Sequence, residues 1–228
     1  MIYQNIHEGI FKARPNRFIA EVLVNGQLER CHVKNTGRCA EILLPDAQVY
    51  VNQSDNPNRS TKYDLVAAYK GRRFINIDSQ APNKVFREYL EAGRFVEGIT
   101  LIKPEYKHGG SRFDFYVETH ERKILVEVKG VTLEHNGVVM FPDAPTQRGV
   151  KHLRHLIQAT KEGYEAYVVF VVQMNGEGIS HFTPHYAMHR EFGDVLAEAQ
   201  YAGVNIAAFD CMVTPGSLTI NNLIDVRL

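Results

Sequence analysis

Ser111-Arg112-Phe113-Asp114-Phe115-Tyr116-Val117-Glu118, a polar break from Thr119 to Arg122, and Lys123-Ile124-Leu125-Val126-Glu127-Val128-Lys129 decide how this chain is read. Each half alternates with the period of a β-strand, and the break is short enough to close a hairpin. Phe113, Phe115 and Val117 share one face of the first strand, and Ile124, Val126 and Val128 one face of the second. Burying those faces together pairs Phe115 with Val126 and Val117 with Ile124, which sets Asp114 opposite Glu127 and Glu118 opposite Lys123. A slip of two residues keeps the apolar match but separates the carboxylates, so alternation leaves both registers open.

In the first register two carboxylates meet with Lys129 on the Glu127 side. Such a pair can hold Mg²⁺ or Mn²⁺, with a backbone carbonyl such as that of Val128 and waters completing an oxygen shell. A metal there acidifies water and neutralises phosphate charge, while Lys129 orients the water or stabilises the transition state. Asp114, Glu127 and Lys129 are thus the candidate catalytic residues, with Glu88, from an upstream helix, as a third carboxylate for the metal. Glu-x-Lys alone is common in strands of alternating charge; the opposed Asp and the flanking helices make it informative.

Outward from the hairpin, the chain falls into two parts. Strand patterns at Phe18 to Val24, Gln27 to Val33, Gln48 to Val51, Lys62 to Tyr69 and Arg73 to Ile77, with an Asn25-Gly26 turn, predict a small closed barrel of the oligonucleotide-binding (OB) type over residues 1–80. Its loops carry Arg14, Arg17, Lys34, Arg38, Arg59, Lys62, Arg72 and Arg73, with Tyr63 and Tyr69 near by, a composition suited to single strands and equally to a charged accessory barrel. Asn35-Thr36-Gly37 can form a turn whose N–H groups hold a phosphate, or a plain turn. Residues 81–228 read as an α/β domain with a mixed sheet. Asn83 caps a helix over Lys84 to Ala92, a short edge strand covers Thr100 to Ile102, and a helix from Gln147 to Glu162 displays Arg148, Lys151, His152 and His155. Ala166 to Val172 has the pattern of a strand buried on both sides, followed by a helix over Arg190 to Tyr201 and a strand at Val204 to Phe209 in a parallel crossover.

Composition narrows the function further. No apolar run is long enough to span a membrane, and Met1 to Arg17 lacks the order of a signal peptide, so a cytoplasmic protein is expected. Cys31, Cys39 and Cys211 form no Cys-x-x-Cys and predict buried thiols. Residues 1–160 carry 23 Lys plus Arg against 18 Asp plus Glu, and residues 161–228 carry 3 against 8, so a polyanion would meet the first part. His181, His185 and His189 recur every four residues, but Pro184 interrupts the helix that would align them on a metal. No Gly-x-Ser-x-Gly elbow supports a serine nucleophile.

Asn35-Thr36-Gly37, Pro82-Asn83, Ser111 to Phe115, Val126 to Leu133, Phe141-Pro142-Asp143-Ala144 and Arg148-Gly149-x-Lys151-His152-Leu153 closely resemble, in order, the sugar fermentation stimulation protein family. The resemblance spans essentially the whole chain. It implies an N-terminal OB barrel, a restriction-endonuclease-like domain of the Asp and Glu-x-Lys type, DNA binding without strong sequence preference, and a regulatory role in sugar (maltose) catabolism. By position it makes Asp114, Glu127 and Lys129 the nuclease-like residues and Glu88 the helical carboxylate. Arg38 stands where many relatives carry Ser. The expected nucleic-acid contacts are Arg14, Arg17, Lys34, Asn35, Thr36, Gly37, Arg38, Arg112, Arg148, Lys151 and His152. A Mg²⁺-dependent DNA nuclease, a non-catalytic DNA-binding regulator and an RNA- or nucleotide-directed phosphoesterase all fit these features, and a homo-oligomer is compatible with each.

Overall fold

The computed structural model describes residues 1–35, 37 and 39–228, so the expectations placed on Thr36 and Arg38 lie outside the described residues. The barrel is built from β1 (Ile6–Asn16), β2 (Ile19–Val24), β3 (Gln27–Val33), β4 (Gln48–Gln53) and β5 (Tyr63–Lys70), with β6 (Arg73–Asn76) added to β5. Parallel pairing of β3 with β5, from Cys31↔Tyr63 to Val33↔Leu65, closes the ring. Asn25 and Gly26 turn the β2–β3 hairpin at φ 49 and 80, the left-handed geometry that two-residue hairpins need. The pattern predicts no strand before Phe18, yet β1 pairs with both β2 and β4. Gly9 and Pro15 hide it from a reading by alternation. Gly9 is required where the strands crowd, because a Cβ there would lie 2.5 Å from Val22 Cγ1.

The second part begins with α1 (Ala81–Glu91). It continues through β7 (Ile99–His108), β8 (Ser111–Thr119), β9 (Lys123–Val131), β10 (Leu133–His135), β11 (Val138–Phe141), α2 (Gln147–Lys161), β12 (Glu165–Val172), β13 (His181–Pro184), α3 (Arg190–Tyr201), β14 (Asn205–Thr214) and β15 (Ser217–Ile224). Six strands form one sheet in the order β15-β14-β12-β9-β8-β7; β12 runs parallel to β9 and β14, and the other neighbours are antiparallel. The expected crossover from β12 through α3 to β14 is present. β7 is much longer than the edge strand predicted, and β13 and β15 add strands where the pattern predicts none. β13 also carries His181, apart from any helix.

The sheet is covered on both faces. Val85, Phe86 and Leu90 of α1 pack on Phe115, Val126, Val128, Val169 and Val171. On the other face Leu153 of α2 and Phe192 of α3 pack on Leu125, Val168 and Phe170, in a core continuous with Val22, Val49, Leu65 and Ile75 of the barrel. Alternate residues of β12 therefore enter opposite cores, which explains its nearly unbroken apolar sequence. All three cysteines are buried, and burial pushes the Cys31 and Cys39 thiols up to about 12. Among the described residues no helix is long and apolar enough to cross a membrane.

Polar contacts lock the barrel to the sheet. Gln173 Nε2, at the end of β12, donates to Asn76 O, Asn76 Oδ1 and Asp78 O at 3.0–3.1 Å. Glu134 accepts from Gly137 N–H at 2.7 Å and pairs with Lys70 and Arg73 of the barrel. An unsatisfied buried acceptor costs about 1–3 kcal/mol. Gln173→Leu, which removes a donor shared by three acceptors, is expected to lower stability by about that amount, read as a lower denaturant midpoint with unchanged slope. An unchanged midpoint would show that the joint does not hold the two parts together.

Candidate active site

The hairpin adopts the first of the two registers, with Phe115↔Val126, Tyr116↔Leu125, Val117↔Ile124 and Glu118↔Lys123. Its ladder stops short of Asp114. On the other side β7 pairs Pro104↔Phe115 and Tyr106↔Phe113, with Glu105 between them at φ 55. Both ladders thus pass over Asp114, and strict alternation fails there. Phe115 and Val117 enter the core beneath α1, whereas Phe113 joins the core on the α2 side, so the three do not share one face as expected.

The Asp114 carboxylate takes up the contacts the ladder leaves. Its Oδ2 accepts from Val128 N–H at 2.8 Å, and its Oδ1 accepts from Asn83 Nδ2 at 2.7 Å. Asn83 is not the cap that the pattern predicts. The helix starts at Ala81, where Pro82 suits the first turn, and this leaves the Asn83 side chain inside the helix facing Asp114.

Glu127 is 3 % exposed in the middle of the sheet. Its Oε1 accepts from both Lys129 Nζ and His152 Nδ1, whereas Oε2 is buried without a partner. His152 Nε2 faces Arg148 Nε at 3.4 Å, an arrangement that assigns the imidazole proton to Nδ1. Burial alone would raise the Glu127 pKa, but Lys129 and His152 outweigh it and hold the carboxyl below its ordinary 4.5. Asp114 moves the other way: burial and the Glu127 charge lift it above 3.8, against the pull of Lys129, Val128 N–H and Asn83. Two neighbouring carboxylates are therefore driven apart in acidity, a common arrangement at functional sites.

Several expected site residues are placed elsewhere. Glu88 is half-exposed and binds the Met1 ammonium at 2.5 Å, so it does not join Asp114 and Glu127. His152 is 6 % exposed and holds Glu127, where a surface contact to nucleic acid was the expectation; its helical spacing marks a face but not what covers it. Lys34 pairs with Asp64 and Asp78 at 3.3 and 3.2 Å. Arg14 donates to the carbonyls of Gly37, Arg17 and Asn35 at 2.7–2.8 Å, bracing the loop. Gly37 N–H is taken by Asn35 Oδ1 at 2.8 Å and the Asp143 carboxylate lies against Gly37, so this one N–H is already engaged. Arg112 pairs with Glu105 at 2.7 Å, and Arg59 with Asp64 at 2.5 Å. Arg17, stacked on Phe18, and Arg148 and Lys151 on α2 remain exposed. Sequence reasoning missed the roles of Asn83 and His152 as carboxylate partners; the Pro82-Asn83 helix start was the available signal for the first.

Among the described residues no group of three or more His, Cys, Asp or Glu is placed to hold a metal ion.

The model described as "SfsA N-terminal OB domain" matches residues 13–77, and that described as "Sugar fermentation stimulation protein RE domain" matches residues 80–217. The chain belongs to the sugar fermentation stimulation protein family. It is 56% identical over 228 residues to the sugar fermentation stimulation protein homolog of Clostridium beijerinckii and 54% identical over 228 residues to that of Ruminiclostridium cellulolyticum, covering 100% of each chain in both cases. Pyrococcus furiosus SfsA, solved in complex with Ca²⁺, is similar in structure, with a TM-score of 0.91 at 29% identity over 100% of this chain and 98% of that one. The family's OB barrel and restriction-endonuclease-like domain are thus the architecture of this chain.

The raised Asp114 pKa has a consequence for stability. A carboxyl whose folded pKa lies above its unfolded value favours folding fully below the unfolded value, and that contribution is lost as pH rises through the folded one. Asp114→Asn is therefore expected to stabilise the metal-free protein at pH 7, with the gain shrinking as pH falls toward 3.8. Thermal midpoints across that range check it; a destabilised variant at pH 7 would contradict the reading.

Proposed function

We propose that this chain is a cytoplasmic DNA-binding protein whose Asp114, Glu127 and Lys129 hydrolyse a phosphodiester bond with Mg²⁺ or Mn²⁺ bound. The observation that carries the reading is the buried, unpartnered Glu127 Oε2 beside an Asp114 whose acidity is weakened by burial and by that same glutamate. A desolvated lone oxygen next to a second carboxylate is unfavourable unless a cation joins them, and an all-oxygen donor set suits a hard divalent ion. Asp114 and Glu127 fit that role. The Ca²⁺ bound to the Pyrococcus furiosus relative supports the same class of ion. When bound, a divalent ion supplies charge neutralisation and a water of lowered pKa.

The chain's own residues do the rest. Asn83 and Val128 N–H fix the Asp114 carboxylate, while His152, backed by Arg148, fixes that of Glu127. Lys129 keeps an ammonium beside Glu127 Oε1, from which it can swing to a non-bridging phosphate oxygen as charge develops there. Exposed Arg148 and Lys151 on α2, and Arg17 on the barrel, give backbone contacts that position a strand without reading its sequence.

The test is cleavage of single- and double-stranded DNA with Mg²⁺, Mn²⁺ or chelator, together with calorimetric metal binding. Asp114→Ala is expected to lose both metal binding and cleavage. Lys129→Ala is expected to keep the metal but cut the rate by about 10²–10³-fold. Equal residual activity in wild type and both variants would remove the enzyme reading, and salt-sensitive binding without turnover would leave a non-catalytic DNA binder.

A further inference from the structure

Parts of two sequence blocks singled out above take no part in the carboxylate site: Asn35 and Gly37 from one, Phe141 and Asp143 from the other. They meet in the fold. A cleft of about 120 Å³ lies between the barrel and the sheet, with Asn35 and Ser79 on the barrel side, Gly130 to Leu133 along its floor, and Met140, Phe141 and Asp143 opposite. Its lining combines the apolar Val131, Leu133, Met140 and Phe141 with the polar Asn35, Ser79, Thr132, Asp143 and Gln173.

The rim is rich in acceptors. Among the described residues the Asp143 carboxylate makes neither a hydrogen bond nor an ion pair, although its Oδ2 packs against Gly37, and Asn35 Nδ2 has no partner because only the Oδ1 of that amide is used, by Gly37 N–H. A free carboxylate repels phosphate and accepts from a pair of adjacent N–H groups; the amide beside it offers a donor for a carbonyl. Guanine presents that combination, N1–H and the 2-amino group next to O6, on a flat ring able to lie along Phe141. The cleft has room for about four waters at ~30 Å³ each, the scale of one ring system and well below the ~300–1,000 Å³ of a pocket for a whole small molecule. That favours one base of a strand over a free nucleotide.

Position agrees with size. Val131 of the floor lies two residues beyond Lys129, roughly 7 Å along the strand, so a base attached close to a phosphate held by Lys129 can reach the cleft.

We propose that this cleft is a guanine-binding subsite of the nucleic-acid path, in which Asp143 accepts from N1–H and the 2-amino group and Asn35 donates to O6. The proposal rests on the nucleic-acid reading above but not on turnover. It is tested with the full-length protein in chelator, by fluorescence anisotropy on thymine oligonucleotides carrying no guanine, one guanine, or hypoxanthine, which lacks the 2-amino group, at the same position. Wild type is expected to bind the guanine oligonucleotide about ten-fold more tightly than the guanine-free one, consistent with one bidentate base contact, with the hypoxanthine oligonucleotide, which keeps N1–H and O6, in between. Asp143→Asn, close to isosteric, is expected to lose most of this preference at an unchanged melting temperature, with any gain from removing the negative charge shared by all three strands. Equal binding of the three by wild type overturns the subsite while leaving the nucleic-acid reading intact. No binding of any of them overturns both.

Discussion

Burying Glu127 in the centre of a six-stranded sheet is the constraint on which the rest of this site depends. Desolvating a carboxylate costs several kcal/mol, and on β9, between β8 and β12, no water can approach from the strand edges. Lys129 comes from the same strand face and His152 from the helix packed over it, and both meet the same oxygen. The position of α2 is thus tied to the charge of Glu127 as well as to the apolar contacts of Val150, Leu153 and Leu156. Because both donors meet Oε1, the second oxygen is left for whatever enters beside Asp114.

Asp114 shows how a regular sheet gives way to chemistry. If the ladder ran on, Val128 N–H and Asp114 would be engaged in ordinary pairing. Instead Glu105 takes a left-handed backbone opposite the break, Phe113 changes cores, and the freed N–H turns to the Asp114 carboxylate. Local rules fail here together, where strand alternation, helix capping and charge pairing would each predict something else, and such coincident failures are expected at functional sites. The two carboxylates then differ by environment: one held charged by a lysine and a histidine, the other made reluctant to ionise by burial and by its neighbour.

Much of this architecture is legible in the residues themselves. Val169 and Phe170 in an unbroken apolar run signal a strand buried twice over, Asn25-Gly26 signals its hairpin, and alternation from Phe115 to Glu118 admits the register the hairpin adopts without singling it out. β1 escapes because closing the barrel demands a glycine where the pattern wants an apolar residue. β15 escapes because Thr219, Asn222 and Leu223 are exposed on an edge strand, so no clean two-sided signal remains. At the candidate site, the nearness of Asp114, Glu127 and Lys129 to one another follows from spacing. The partnership of Asn83 with Asp114 depends on where a helix begins to within two residues, the least certain quantity in any pattern reading.

The cations expose the deeper limit. Lys34, Arg14, Arg59 and Arg73 look alike in a sequence, as positive charges on barrel loops facing a polyanion. In the folded chain each is drawn inward: Lys34 to Asp64 and Asp78, Arg59 to Asp64, Arg73 to Glu134, and Arg14 to loop carbonyls. Those pairs hold the barrel's loops and its joint with the sheet, so the basic excess of the first part of the chain supports the fold before it meets any ligand. Phosphate attraction scales with the number of cations that release counterions on binding, and engaged cations contribute little to it. A protein built this way depends less on diffuse charge and more on a few defined contacts. On the proposed nucleic-acid reading, its carboxylate pair and the cleft beside β9 would therefore weigh more than net composition suggests.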